Sequence, residues 1–350
     1  MSRDRTGHSP RRLLSLARAA LRRPGPGGRH RLALVTGAVA VLSVTASGCV
    51  VVHGEREVVP TATRGEAARA LADFTTAYNK ADQANDPSLD EDRVTGALGA
   101  IDGAKLKAGR RNNPGGNPGY SPLELNDARF AIPAKAGWPR WFVADTAANK
   151  GQAGSRWLLV FTRGAANDVW RASYLTVLAG TDVPKFRQDK DGWAQPVTAD
   201  DAALAVGPGQ LSQAYATYLR SGGETFAPGV HTSQWRALRD RNASRPGLAR
   251  QYIDESLTSG DYAPVGLRTA DGGALVFFTT QRYEKQTAAQ GTELPAQSAD
   301  VKALTTGDAR QSLTLGFVSN QAALDPAKGA QDQRVTVLGR VEGLTAAKGG

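Results

Sequence analysis

The chain has 350 residues, of which 41% are hydrophobic and 22% are charged. This balance excludes a disordered or fibrous protein and allows two domains with buried cores. The formal net charge of +10 would suit a nucleic-acid partner if it lay on the folded surface. Residues 1–31 hold nine arginines and one aspartate, however, and only +2 remains for the rest of the chain. Nucleic-acid binding is therefore the least favoured class of function.

The first 48 residues have the pattern of an export signal. An arginine-rich segment precedes the apolar run Leu32–Val44, and small residues lead to Cys49, the single cysteine. The sequence Ala46-Ser47-Gly48-Cys49 resembles a bacterial lipobox, in which the cysteine sulfur takes a diacylglycerol. We predict a signal peptide over residues 1–48, lipidation of Cys49 and a tether over residues 49–62, with the body on the extracytoplasmic face of the cell membrane.

Two other interpretations of this segment stay open. The uncharged span Leu32–Val52 has 21 residues, close to the ~20 that cross a bilayer as a helix, so it would also serve as an uncleaved anchor. Alternatively, Cys49 is a small buried hydrophobic residue. In each case a single cysteine excludes a disulfide within the chain, so stability must come from packed cores.

The first half of the body predicts two helices followed by strands. Thr63 and Glu66 form a capping box, and apolar residues at helical spacing continue to Asp86-Pro87. A second helix is predicted over Val94–Ala108 and a loop over 110–119. Segments rich in β-branched and aromatic residues then predict strands, and Asp191-Gly192 predicts a hairpin turn. The predicted strands are 129–132, 140–145, 157–162 and 170–178.

The second half repeats this order after a linker at residues 198–208. One helix face is formed by Leu211, Tyr215, Tyr218 and Leu219, and a further helix is predicted over 233–241. The predicted strands are 251–257, 265–269, 275–283, 312–318 and 334–341. We therefore predict an α+β fold of two tandem domains, residues 63–197 and 209–346, each with an N-terminal helix packed on a curved antiparallel sheet.

Several segments carry a resemblance to known families. They are the lipobox at Cys49, Phe130-Ala131-Ile132-Pro133 with Trp138-Pro139-Arg140-Trp141-Phe142, Trp157–Thr162, Pro208–Leu211 and Arg268–Val276. With these segments, nearly all of the mature chain resembles a family of exported actinobacterial lipoproteins. Each predicted domain is similar to the cone of nuclear-transport-factor-like and cystatin-like folds. The resemblance implies a location and an architecture, and it implies no activity.

Clustered aromatic residues of the first domain are the best indication of a ligand site. The candidate pocket residues are Trp138, Arg140, Trp141 and Tyr174. In this hypothesis the two tryptophans beside Arg140 form a stacking platform for a sugar or an aromatic group. Core filling is the alternative, which the alternation of Trp157, Leu159 and Phe161 favours.

The sequence contains none of the usual nucleophilic or phosphate-binding motifs, so we predict no enzyme, no cofactor and no metal. His53 and His231 are the histidines left after export, too few for a zinc site without a cysteine partner. The acidic cluster lacks the central glycine and the final glutamate of a calcium loop, and we interpret it as an acidic start of the second helix. Its members are Asp86, Asp90, Glu91 and Asp92.

The favoured function is a membrane-anchored lipoprotein that acts as a binding or accessory module of the cell envelope. Its expected partners are the membrane, through the lipid anchor, and other envelope proteins or a small ligand. The alternative is a small-molecule enzyme of isomerase or hydrolase type that uses a pocket in the first domain. Asp145, Asp168 and Tyr174 supply the residue types that ketosteroid-isomerase-like enzymes use in such a cone.

Overall fold

The computed structural model describes residues 57–350, so the predicted signal peptide, Cys49 and most of the tether lie outside the described residues. The described part is an α+β fold, as predicted. Its α-helices are α1 (Arg64–Ala84), α2 (Gly96–Asn112), α3 (Leu211–Ser221), α4 (Ser233–Asn242) and α5 (Ala299–Leu304). Its strands are β1 (Val59–Pro60), β2 (Leu125–Ala131), β3 (Ala134–Lys135), β4 (Arg140–Ala148), β5 (Ser155–Arg163), β6 (Arg171–Ala179), β7 (Ser244–Arg245), β8 (Leu248–Leu257), β9 (Val265–Arg268), β10 (Ala274–Ala288), β11 (Thr305–Thr306), β12 (Ser312–Asp325) and β13 (Thr336–Gly349).

Helix α1 begins and ends where its local sequence allows. The Glu66 amide donates to the Thr63 hydroxyl at 3.1 Å, and the Thr63 amide donates to the Glu66 carboxylate at 2.7 Å, which confirms the predicted capping box. Asn85 ends the helix in the left-handed conformation, with φ of 51°. Between these ends Leu71 and Phe74 are buried on the helix face that contacts the first sheet.

The first sheet has the strand order β2-β4-β5-β6, with antiparallel neighbours throughout. Phe142 and Phe161 lie on adjacent strands and stack at 5.0 Å between ring centroids. Phe74 of α1 packs edge-on against Phe161 at 5.8 Å. One face of this sheet is therefore covered by α1, as predicted for the first half.

The second sheet has the order β11-β13-β12-β10-β8-β7, and β9 pairs with β10 beside β8. Helix α3 buries Leu211 and Tyr215 against Val276 and Phe278 of this sheet. The rings of Tyr215 and Phe278 pack edge to face at 5.8 Å between ring centroids. The predicted strand over 251–257 is confirmed as part of β8, and β12 and β13 continue further than the sequence predicts.

The two sheets face each other and share a core. Trp141 and Val143 of β4 point away from α1 and pack with Leu275 and Phe277 of β10. Because side chains alternate along a strand, each sheet buries one face on a helix and the other face on the opposite sheet. The order of layers is α1, first sheet, second sheet, α3, and the described residues form one compact unit. A division into separate domains at residues 198–208 stays a prediction.

Helix α2 lies beside both sheets. It packs against β6 of the first sheet and β13 of the second. At its start the Thr95 hydroxyl donates a hydrogen bond to the Asp261 carboxylate, which belongs to the second half of the chain. Helix α2 also extends to Asn112, beyond the predicted end. Its last turn contacts a distant part of the chain, since Arg111 donates to the Ala303 carbonyl and Asn112 donates to the Asp300 carboxylate.

Candidate functional site

The structure divides the four predicted pocket residues into two pairs on opposite faces of the first sheet, so they do not line one pocket. Trp141 and Tyr174 lie in the core between the sheets and are 5% and 1% exposed. The Tyr174 hydroxyl donates to the carbonyl oxygens of Tyr262 and Ala263, both at 3.0 Å. Burial raises the pKa of Tyr174, in keeping with a hydroxyl that stays protonated. Both residues contribute to packing between the sheets.

Trp138 and Arg140 lie on the side of the first sheet that faces α1. The Arg140 guanidinium stacks over the Trp138 ring at 4.7 Å. Arg140 and Trp141 are neighbours on β4, and successive side chains on a strand point to opposite faces. For this reason Trp141 does not join Arg140 and Trp138 in one stacking platform.

The three residues suggested for an isomerase-like site are also apart. Tyr174 is buried between the sheets, and Asp168 is exposed in the turn between β5 and β6. Asp145 is engaged with Arg156, whose Nε donates to its carboxylate at 2.6 Å. The structure therefore does not assemble an acid and a tyrosine donor from these residues.

A cavity of about 540 Å³ lies between the first sheet and the segment that follows β6. The sheet side of its lining includes Ala131, Asp145 and Arg156, and the other side includes Val183 and Phe186. The backbone of residues 186–195 pairs with residues around 267–269, which holds this segment across the sheet edge. The cavity has the volume of a small-molecule site, and its lining combines apolar residues with several charged and polar ones.

Arg156 organises the charge at this cavity. Its Nη1 donates to the Asp127 carboxylate at 2.7 Å, and its Nη2 donates to the carbonyl oxygens of Asp127 and Asp145 at 2.9 and 3.0 Å. The hydrogen bond from Arg156, and then the charge of Arg129, lower the pKa of Asp127. Arg156 is therefore neutralised by its own carboxylates, and it fixes the wall of the cavity.

Two further cations line the cavity, and nearby carboxylates neutralise their charge less fully than that of Arg156. The Arg129 side chain is 68% exposed and shares the Asp127 carboxylate with Arg156. Lys185 lines the cavity and is exposed, and within residues 57–350 no carboxylate pairs with its side chain. The cavity therefore combines an apolar part at Val183 and Phe186 with an exposed cation at Lys185.

The position of Arg156 within β5 is the sequence feature that points to this cavity. Arg156 shares the strand face of Leu158 and Val160, which both point into the core between the sheets. A charged residue in such a row needs a partner or a polar cavity. Its partners come from β2 and β4, and the opposite wall of the cavity comes from residues 180–194, so the site forms only through tertiary packing.

Asp90 and Asp102 form a buried pair of carboxyl groups away from this cavity. They are 1% and 4% exposed. Burial, and then the charge of Asp102, raise the pKa of Asp90 to about 8, and burial also raises the pKa of Asp102. Interpreting Asp90 as part of an acidic helix start was wrong, because α2 begins only at Gly96 and Asp90 packs inside.

A second cluster of buried charge lies on the second sheet beneath α4. Arg282 donates to Glu342 at 2.8 Å and to Glu284 at 3.2 Å, and its guanidinium lies 3.9 Å from the centre of the Phe317 ring. Arg239 of α4 binds the Asp254 carboxylate through both terminal nitrogens. These charges satisfy one another, so the cluster positions α4 on the sheet.

Within residues 57–350, no three histidine, cysteine, aspartate or glutamate side chains converge in a way that would hold a metal ion. None of the helices described has both the length and the apolar character needed to cross a bilayer.

Comparison with known proteins identifies the family. The model of the family "Domain of unknown function (DUF8094)" matches residues 58–349. An uncharacterized lipoprotein of Streptomyces avermitilis is 69% identical over 319 residues, which cover 91% of this chain and 96% of the relative. An uncharacterized lipoprotein of Streptomyces coelicolor is 60% identical over 349 residues, which cover 100% of both chains. No solved structure matches.

The chain therefore belongs to the DUF8094 family, and its relatives include proteins named as lipoproteins in Streptomyces. The predicted likeness to actinobacterial lipoproteins is confirmed at this level. The likeness of each half to nuclear-transport-factor-like or cystatin-like cones stays a prediction.

Proposed function

We propose that this protein is a lipoprotein held at the extracytoplasmic face of the cell membrane by a lipidated Cys49, and that its body is a binding module of the cell envelope. The lipobox-like sequence before Cys49 and the lipoprotein relatives support the anchor. One acyl chain binds a membrane only marginally, so lasting attachment requires the two chains of a diacylglycerol.

The cavity beside Arg156 is the observation that carries the binding role. Its volume of about 540 Å³ suits a small molecule, and its lining combines Val183 and Phe186 with the cations Arg129 and Lys185. The ligand class that fits is a small amphipathic molecule with an acidic group. An enzyme of isomerase or hydrolase type is the weaker alternative, because the aspartate in this cavity, Asp145, is already bound by Arg156.

The anchor is tested by replacing its sulfur. Cys49→Ser is expected to release the protein from the membrane fraction, because serine takes no thioether-linked diacylglycerol. A variant that still sediments with membranes would instead support an uncleaved helix over Leu32–Val52. Alkaline washing of the membranes separates integral attachment from surface adhesion.

The binding role is tested by the molecules that accompany the protein. Protein purified from envelopes under native conditions should release an acidic amphipathic compound on denaturation, detectable by mass spectrometry. Lys185→Gln should lower the amount bound, whereas Lys190→Gln should not, because Lys190 lies on the same segment but pairs with Asp191. Absence of any such compound, or equal loss in both variants, would contradict the proposal.

A further inference from the structure

A stack of arginine and tryptophan side chains lies on the α1 side of the first sheet. Arg163 lies 5.3 Å from the Trp138 ring and 4.6 Å from the Trp170 ring, and Arg140 covers Trp138 at 4.7 Å. Trp170 is 8% exposed and packs edge-on against Phe142 at 4.9 Å, which fixes the inner end of the stack in the core. We name Trp138, Arg140, Arg163 and Trp170 the arginine–tryptophan stack.

The guanidinium groups of this stack lack the partners that arginines elsewhere in the protein have. Within residues 57–350, neither the Arg140 nor the Arg163 side chain donates a hydrogen bond to a protein acceptor, and the Nε atoms of both are buried without a partner. The nearest ion-pair contact is Glu66, 3.9 Å from Arg163. Arg156, in contrast, has four acceptors. The Arg163 side chain is 15% exposed, and no hydrogen-bonded carboxylate of the described chain neutralises the charge of either guanidinium group.

More positive charge lies beside the stack than the nearby carboxylates balance directly. Lys135 donates to the Pro139 carbonyl at 2.8 Å and has no ion pair in the described chain, and burial together with Arg140 lowers its pKa. Arg64 is exposed and lies 5.9 Å from the Trp193 ring. Of the local acids, Asp168 is exposed in the loop between β5 and β6, and no ion pair joins it to these cations in the described chain.

The described chain enters the fold at this same surface. Val59 pairs with Lys135, and the Thr61 hydroxyl donates to the Trp141 carbonyl at 2.6 Å. Lys135 is three residues before Trp138, so the stack lies within about 10 Å of the chain entry. From Cys49 to Glu57 a fully extended chain spans at most about 30 Å. Val58, at the entry, is a 67% exposed apolar residue.

We propose that the arginine–tryptophan stack rests on the anionic phospholipid headgroups of the membrane that holds the anchor. The Arg140 and Arg163 guanidinium groups bind lipid phosphates, and Trp138 lies at the interface between headgroups and acyl chains. This orientation rests on the proposed lipid anchor at Cys49. It places α1 and the first sheet next to the membrane and α3 on the far side of the body.

Fluorescent labels on the lipidated protein test this orientation. In lipidated protein the sulfur of Cys49 is blocked, so a cysteine introduced by Ala136→Cys is the only free thiol. Labelled with a polarity-sensitive fluorophore, it should shift its emission to the blue on vesicles containing phosphatidylglycerol, and much less on phosphatidylcholine alone. The control, Val230→Cys, lies at a 65% exposed position near α3 and should not shift.

Charge variants and flotation then separate the possible failures. Arg140→Gln and Arg163→Gln, each made singly, should reduce the shift at position 136, whereas Arg220→Gln on α3 should leave it unchanged. Protein that fails to float with vesicles contradicts the anchor itself. Protein that floats but shows no shift at 136, or the same shift on both vesicle types, overturns the orientation. A shift reversed by inorganic phosphate at constant ionic strength would overturn it in favour of a free-anion site.

Discussion

At the scale of single residues, Asp90 and Asp102 show how burial in the folded protein changes the pKa of a carboxyl group. Both side chains are almost completely buried, and neither Oδ2 atom has a hydrogen-bond partner among the described residues. Removing water from a carboxylate favours its protonated form, which explains the raised pKa of both groups. The folded protein therefore holds a proton here that the unfolded chain releases at neutral pH.

This pair predicts that stability falls as the pH rises. A carboxyl group whose pKa is higher in the folded state contributes stability below its unfolded pKa of about 4, and that contribution is lost as the pH approaches the folded pKa of Asp90, about 8. Asp90→Asn should raise the free energy of unfolding at pH 8 by on the order of 2 kcal/mol. At pH 4 its effect should be small. Urea denaturation of both proteins at the two pH values measures the difference.

The matched control for this prediction is Asp73→Asn. Asp73 lies at an exposed position of α1, and its charge is not among the causes that raise the pKa of Asp90. Its replacement should change stability equally little at both pH values, because an exposed side chain keeps its hydration on folding. An Asp90→Asn protein with the same pH dependence as the unmodified protein would show that the pair is not protonated.

The sequence shows that these residues are acidic, but it does not show that they are buried. Acidic residues before a helix are commonly solvated, and the sequence near Asp90 does not indicate that α1 and α2 enclose this residue. Arg140 and Trp141 are different, because strand alternation alone separates adjacent residues. The placement of Arg140 and Trp141 on opposite faces of β4 could therefore have been predicted from the sequence.

At the scale of elements, helix α1 illustrates how much a capping sequence determines. The Thr63–Glu66 capping box and the apolar spacing predict both the start and the buried face, and the structure confirms both. The first helix of the second half was also predicted by its apolar face, and it is found as α3. Element ends were less accurate, since the ends of α2, β12 and β13 depend on contacts distant in sequence.

The capping box makes a quantitative prediction. Thr63→Ala should lower the free energy of unfolding by about 1 kcal/mol, because the amide of Glu66 loses its acceptor. Thr76→Ala, in the middle of the same helix, is the control. The Thr76 hydroxyl only donates to the Ala72 carbonyl, and alanine is the better helix former, so stability should stay the same or rise by up to about 0.5 kcal/mol. Equal losses in both variants would contradict the role of the cap.

At the scale of the whole molecule, the shared core between the sheets connects the two halves. Phe277 of the second half lies 6.2 Å from Tyr174 of the first, measured between ring centroids, in a cluster that also contains Trp141 and Leu275. Helix α2 and the hydrogen bond from Thr95 to Asp261 add contacts at the side. The sequence pattern did not predict this arrangement, because apolar alternation on a strand does not show which layer covers each face.

We expect the two halves to unfold together. Phe277→Ala should lower the free energy of unfolding by about 3–5 kcal/mol, because it leaves a cavity at a position that is 1% exposed. A single denaturation transition should shift as a whole when followed by both tryptophan fluorescence and circular dichroism. Ile253→Ala, at a 42% exposed strand position, is the control and should cost about 0.5 kcal/mol or less.

Two separate transitions would contradict this expectation. If only one of them moved in the Phe277→Ala protein, residues 63–197 and 209–346 would be independent domains, as the repeated order of elements predicts. The shared core would then contribute little to the stability of the first half.

The proposed membrane anchor depends on the chemical state of one sulfur atom, that of Cys49. Intact-mass spectrometry of the protein purified from its native envelope tests this most directly. The predicted result is a chain that begins at Cys49 and carries the added mass of a diacylglycerol, with or without a further acyl group on its amine. A chain that retains the arginine-rich segment of residues 1–31, or one with an unmodified Cys49, would contradict the lipid anchor and the membrane orientation that rests on it.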